Sequence, residues 1–183
     1  MKLLGLLRHA KSDWDDIGLR DFDRGLNDRG RRGAALMGEH IRQHGVEWAY
    51  VLASPAERVR KTLLASGLDD GSRGRIDWQD KAYLASAETL IELLREVEGD
   101  PASVLVSAHN PGLQELIFRL VSPEAENSLF DAAAEKYPTA TYAVLELDIA
   151  DWADLGPGCG ELVHLARPRD LDPELGPEVI DPR

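Results

Sequence analysis

A repeated local pattern limits the fold of this chain more than any other feature: a short unbroken apolar run, a polar turn, then residues at helical spacing. Leu3 to Leu7, Trp48 to Ala53 and Ser103 to Ala108 are the three runs. Apolar runs of this length without alternation are the mark of strands buried on both faces of a parallel sheet. After the first run comes a polar, Asp-rich stretch from Lys11 to Asn27, read as a loop. Ala34, Met37, Ile41 and His44 then recur at helical spacing, so a helix is expected from Asp28 to about His44, with Gly45 as its C-terminal cap. The second run leads into Ser54-Pro55, read as N-cap and first helical residue of a helix reaching about Ser66. Asp69 to Asp80 is Gly- and Asp-rich and reads as a linking loop, and Leu90, Ile91, Leu94 and Val97 predict a helix over Glu88 to Val97. The third run passes through Asn110-Pro111-Gly112 into Leu113, Leu116, Ile117 and Leu120, again at helical spacing. Tyr142 to Leu147 and Glu161 to Leu165 alternate as further strands, with Gly156-Pro157-Gly158 turning between them.

Strands alternating with helices imply an α/β three-layer sandwich, a mostly parallel sheet with helices on both faces. With 183 residues, against roughly 150 per domain, one domain is expected over residues 1–167. Pro168, Pro173, Pro177 and Pro182 mark residues 168–183 as a Pro-rich tail, expected to run extended on the surface or disordered. Acidic residues outnumber basic ones 33 to 21, a net charge of −12. That sign opposes nucleic acid and anionic membrane, whose binding begins with Lys and Arg on phosphates. Arg8 cuts the first apolar run short of a signal-peptide core, and no segment approaches the ~18 apolar residues of a membrane span. The chain therefore reads as soluble. The single cysteine, Cys159, rules out an intrachain disulfide and a CxxC pair, which fits a reducing cytoplasm.

In open α/β sheets ligands bind beyond the carboxyl ends of the strands. The first strand ends in Arg8-His9, the second in Ser54 with Arg58 a helical turn further, and the third in His109-Asn110. Singly, each residue has an ordinary explanation: a surface ion pair for Arg8, a structural histidine for His9, a cap for His109. Jointly they deliver two guanidinium groups and two imidazoles to one sheet edge, beside helix N-termini that favour anions. The expected site is a cationic pocket shaped for phosphate, with Asn110 as a further phosphate-binding candidate.

Arg8-His9-Ala10, Ser54-Pro55-x-x-Arg58 with Thr62 after it, and Ala108-His109-Asn110-Pro111-Gly112 resemble the motifs of the histidine phosphatase superfamily, the phosphoglycerate-mutase-like fold, in order and spacing. Arg-His-Ala-Lys-Ser and Asp23-Arg24-x-Leu26-Asn27-x-x-Gly30 are similar to the small branch that includes phosphohistidine phosphatases. The resemblance implies that His9 is a nucleophile forming a phosphohistidine intermediate. It implies too that Arg8, Arg58 and His109 hold the phosphoryl oxygens, that Arg24 is a further contact, and that no metal or other cofactor is required. The chemistry agrees: imidazole attacks phosphorus in line while fixed guanidinium forks stabilise the equatorial charge.

Larger members of the family use a Glu as general acid, and no carboxylate here stands in an unmistakable equivalent place. Glu88 and Asp13 are the candidates, with Asp15 and Asp16 beside the latter. Imidazole leaving from phosphohistidine, with a conjugate-acid pKa of roughly 6.5, needs less protonation than a sugar alkoxide. The reading is thus a metal-independent phosphatase acting on phosphohistidine in proteins or a similarly activated phosphoryl group. Its alternatives are a small-metabolite phosphomonoesterase or mutase, and a non-catalytic phosphate- or phosphoprotein-binding module. His40 and His44 share a helix face at zinc-pair spacing, but Ile41 stands where a metalloprotease carries Glu, so surface histidines are expected.

Overall fold

The computed structural model describes residues 1–71 and 76–177. Six strands form one sheet: β1 (Lys2–Arg8), β2 (Tyr50–Ala53), β3 (Ile76–Trp78), β4 (Ser103–Ala108), β5 (Tyr142–Leu147) and β6 (Gly160–Ala166), in the order β3-β2-β4-β1-β5-β6. The first four in that order run parallel, and β5 and β6 run antiparallel at the far edge. The expectation of a mostly parallel sheet holds.

The unbroken apolar runs are explained by burial on two sides. Leu4, Leu6, Val104 and Val106 point to one face, where α3 (Ala87–Arg95), α4 (Gly112–Leu120) and α5 (Ser128–Glu135) contribute Leu90, Leu113 and Ala133 to the same core. Leu7, Val51 and Leu105 point to the other, against Met37 and Ile41 of α1 (Asp28–His44) and Val59 and Leu63 of α2 (Glu57–Ala65). Each side chain withdrawn from water here contributes about 1.5–3 kcal/mol, and a polar residue on either face would forfeit that. α1 begins where the Asn27 side chain accepts from the Gly30 N–H and ends at Gly45, whose φ of 85° suits a residue without Cβ. Gly112 opens α4 so close to the Ala85 carbonyl that a Cβ would lie 2.0 Å from its oxygen, which brings the last turn before α3 against the helix that follows His109.

Four local expectations need correction. α2 starts at Glu57 rather than Pro55, with Ala56 at its N-cap, and the Ser54 hydroxyl lies 2.7 Å from a histidine of the site described below. The stretch read as a loop over Asp69 to Asp80 contains β3, whose three residues are too few to show a period. α5 was not foreseen because its eight residues are too few to show a helical period, although Leu129, Phe130 and Ala133 pack on the core and Asn127 caps it by accepting from the Phe130 N–H. The tail from Pro168 does not run extended: Pro168–Leu171 is a short helix, α6, followed by a 3₁₀ turn over Pro173–Leu175. Arg32 of α1 pairs with Asp172 and Glu174 and Arg29 donates to the Gly176 carbonyl, so these residues lie along α1. Pro182 falls outside the described residues. Among the described residues no helix is long and apolar enough to cross a membrane.

Candidate active site

Sheet register aligns the three strand ends. Arg8 stands beside Ala108 and Ala53 beside Ser107, so His9, Ser54 and His109 leave the sheet at one level. The His9 N–H donates to the Ala108 carbonyl and the Ser54 N–H to that of Ser107, which extends the ladder one residue past each pairing. The rings of His9 and His109 meet with centroids 5.3 Å apart. Around them opens a cleft of about 550 Å³, lined among others by Arg8, His9, Asp21, Arg58, His109 and Asn110.

His9 is fixed by the main chain that follows it. Its Nδ1 lies 2.8 Å from the Ala10 carbonyl oxygen. A carbonyl only accepts, so Nδ1 carries the proton and Nε2 the lone pair. The Ala10 peptide is held in turn: its N–H donates to the Thr62 hydroxyl at 2.9 Å, and that hydroxyl donates to the Arg58 carbonyl at 2.7 Å. Thr62 therefore ties the peptide that orients His9 to the helix that carries Arg58. Burial holds the His9 pKa down to about 4; the Ala10 carbonyl opposes this, and the positive charges of Arg8 and Arg58 reinforce it. His109 is held down to about 3, first by burial and then by His9 and Arg58. Both imidazoles are neutral near pH 7.

The cations are held by carbonyls and one carboxylate. Arg8 donates to the Tyr137 carbonyl at 3.0 Å, and the Asn110 amide donates to the same oxygen at 3.1 Å. Tyr137 is itself buried and donates its hydroxyl to the Leu6 carbonyl. Arg58 donates to the Asp21 carbonyl at 2.8 Å and to its carboxylate at 3.0 Å, and the Tyr83 hydroxyl donates to that carboxylate as well. Nε2 of His109 lies 2.7 Å from the Ser54 hydroxyl. Nδ1 of His109 and Nε of Arg8 are buried without a partner among the described residues. A polar atom left so is costly unless something supplies the missing bond, and a phosphoryl oxygen accepts from either nitrogen when it bears a proton.

Of the residues singled out from sequence, His9, Arg8, Arg58, His109 and Asn110 come together. Arg24 does not line the cleft. Its guanidinium stacks on Trp14, 4.2 Å from the ring centroid, and donates to the Asp16 and Leu19 carbonyls, so it braces the loop that forms one wall. Neither acid candidate reaches the cleft. Glu88 pairs with Arg119 of α4, and Asp13 accepts from the Asp15 N–H within an exposed turn. Asp21, Tyr83 and Tyr137 are the residues sequence reasoning missed; Thr62 was noted with the Arg58 motif, but not its hold on the Ala10 peptide. Asp21 is the one carboxylate among the described residues lining the cleft. The Tyr83 hydroxyl above all, with Arg58, keeps its carboxyl below the usual carboxylate range despite an opposing desolvation. It is ionised at neutral pH and holds Arg58 in place; it has no proton to give.

The sequence model of the histidine phosphatase superfamily (branch 1) matches residues 4–79, the part that carries Arg8, His9 and Arg58. An uncharacterised protein of Mycobacterium tuberculosis is 36% identical over 164 residues, covering 89% of this chain and all of that one. Among solved structures, one from Nakamurella multipartitia assigned as phosphohistidine phosphatase SixA superposes with a TM-score of 0.78 at 28% identity, over 91% of this chain and 96% of that one. A second, from Agrobacterium tumefaciens and assigned in the same way, gives 0.74 at 28% identity, over 90% and 97%. The family-model match over the segment that carries Arg8, His9 and Arg58 and the superposition on these structures over nine-tenths of the chain agree: the chain belongs to the histidine phosphatase superfamily.

Proposed function

We propose that this protein is a metal-independent phosphatase that removes phosphoryl groups from phosphohistidine in proteins by way of a phosphohistidine formed on its own His9. The observation that carries this reading is the state of His9, a neutral imidazole with Nδ1–H spent on the Ala10 carbonyl and an Nε2 lone pair in a cleft that Arg8 and Arg58 also line. In the first step the substrate ring carries a proton on its free nitrogen; Nε2 of His9 bonds to phosphorus as the bond to the leaving nitrogen breaks in line, and that nitrogen keeps the electron pair, so the ring departs as neutral imidazole. In the second, water attacks the phosphorus, the bond to His9 breaks and phosphate leaves. Charge on the equatorial oxygens is met throughout by Arg8, Arg58 and His109, groups already oriented before substrate enters.

Two features favour phosphohistidine in proteins over a small phosphate ester. Asp21, the lining carboxylate, is ionised and bound to Arg58 and Tyr83, so an alkoxide would depart unprotonated while imidazole leaves without comparable help. Trp14 and Leu84 line the mouth at 64% and 56% exposure, and Ile17 stands 91% exposed on the same loop as Trp14. An exposed apolar rim around a charged cleft suits a protein surface. The test is kcat/KM, with EDTA present, for a phosphohistidine peptide against a phosphoserine peptide and 3-phosphoglycerate. A preference of at least 100-fold for the first is expected, and equal values would overturn the assignment.

A further inference from the structure

A second cavity, of about 180 Å³, opens beside the cleft, and Lys11, Lys136, Pro138 and Thr139 line both. Arg29 of α1 and Arg169 of α6 line only this second cavity, together with Ala140, Pro168 and Leu175. These four cations gather at one hollow of an acidic chain. Acids exceed bases by 12, and the neighbours of these residues are paired: Arg31 with Asp28, Arg32 with Asp172 and Glu174, Arg167 with Asp170. Lys11, Arg29, Lys136 and Arg169 form no such ion pair among the described residues; Arg29 is steadied instead by the Gly176 carbonyl. Four positive charges without an ion-pair partner among the described residues, lining one hollow, make its local potential more positive than that of the acidic chain as a whole. The hollow has the volume of about six waters, at roughly 30 Å³ each, which is room for a carboxylate and its methylene stem.

We propose that this cavity is a carboxylate subsite, in which the protein substrate whose phosphoryl group occupies the cleft seats a nearby Asp or Glu side chain. The proposal rests on the phosphatase reading and adds to it the kind of sequence preferred: a phosphorylated residue with an acidic neighbour. Lys11 and Lys136, facing both cavities, lie between the two anions, while Arg29 and Arg169 meet only the second.

Binding tests this without requiring turnover. Titration calorimetry compares methylphosphonate, which fills the cleft alone, with phosphonoacetate, 3-phosphonopropionate and 4-phosphonobutyrate, which add a carboxylate on a lengthening stem. At least one of the three should bind 10-fold or more tighter than methylphosphonate. Arg29→Gln with Arg169→Gln should abolish that advantage and leave methylphosphonate affinity and Tm unchanged, whereas Arg29→Lys, keeping the charge, should retain most of it. Equal affinities for all four ligands, or an advantage that survives the double substitution, overturn the subsite while leaving the cleft intact. Failure of methylphosphonate itself to bind overturns the phosphoryl cleft, and the subsite with it. A parallel kcat/KM comparison of phosphohistidine peptides flanked by Glu or by Gln fixes the source of the carboxylate. A 10-fold preference for Glu is expected; a gain confined to the small phosphonates refutes a protein side chain as its occupant.

Discussion

Replacing His9 with Asn removes the imidazole but keeps a donor where Nδ1 meets the Ala10 carbonyl, which isolates the effect of a histidine that the fold holds neutral. In the native protein His9 is 7% exposed and takes its proton only near pH 4, whereas in the unfolded chain it does so near 6.5. Below pH 6.5 the unfolded state therefore binds more protons than the native state, and stability falls as the pH drops, until the loss levels off below about 4. At pH 5 the ratio of the two binding polynomials is about 30, a destabilisation of about 2 kcal/mol from this residue; at pH 7 it is about 0.2 kcal/mol. Urea unfolding at pH 7 and pH 5 reads the difference. The wild-type protein should lose about 2 kcal/mol more than His9→Asn between the two, a shift in midpoint of about 1 M for a urea slope near 2 kcal/mol/M. The acid loss due to His109, held down to about 3 by burial, His9 and Arg58, acts in the same direction in both proteins and largely cancels. Equal losses in the two proteins would refute the claim that burial and the flanking guanidinium groups keep His9 neutral.

Asp21→Asn should lower kcat/KM about 10- to 100-fold, the usual effect of losing a residue that orients a binding group, because Arg58 loses its charged partner while the Tyr83 hydroxyl keeps an acceptor. Tm should stay within a few degrees since the Asp21 side chain is 45% exposed, and full activity would remove its positioning role. Glu88→Gln and Asp13→Asn should each leave kcat/KM within about two-fold with a phosphohistidine peptide, since neither side chain reaches the cleft. A 100-fold loss in either would identify a proton donor that the geometry does not.

What was legible in the sequence depended on whether one residue type had one physical use. Leu3 to Leu7 and Ser103 to Ala108 could hardly be anything but two-faced strands, and Gly45 stops its helix as a left-handed cap. Once those strands were placed, Arg8, His9 and His109 followed from the direction of the chain, and Arg58 from one turn of helix. Ser54 misled because a serine before proline is a good cap, yet its hydroxyl is turned to His109 and α2 begins three residues later. Asp21 was invisible for another reason: it is one of five aspartates between Ser12 and Arg24, and only the landing of that loop against Arg58 and Tyr83 sets it apart. Arg24 shows the limit of carrying a role across by resemblance, since here it stacks on Trp14, donates to two loop carbonyls and does not line the cleft.

Covalent phosphorylation of His9 is what rapid-quench labelling detects. A radiolabelled phosphohistidine peptide is mixed with enzyme, quenched in base within milliseconds, and the protein digested for mass spectrometry. A base-stable, acid-labile phosphoryl group on His9, formed before free phosphate appears and missing from His9→Asn, is the predicted result. Steady release of phosphate with no label on His9, or unimpaired turnover by His9→Asn, would contradict it.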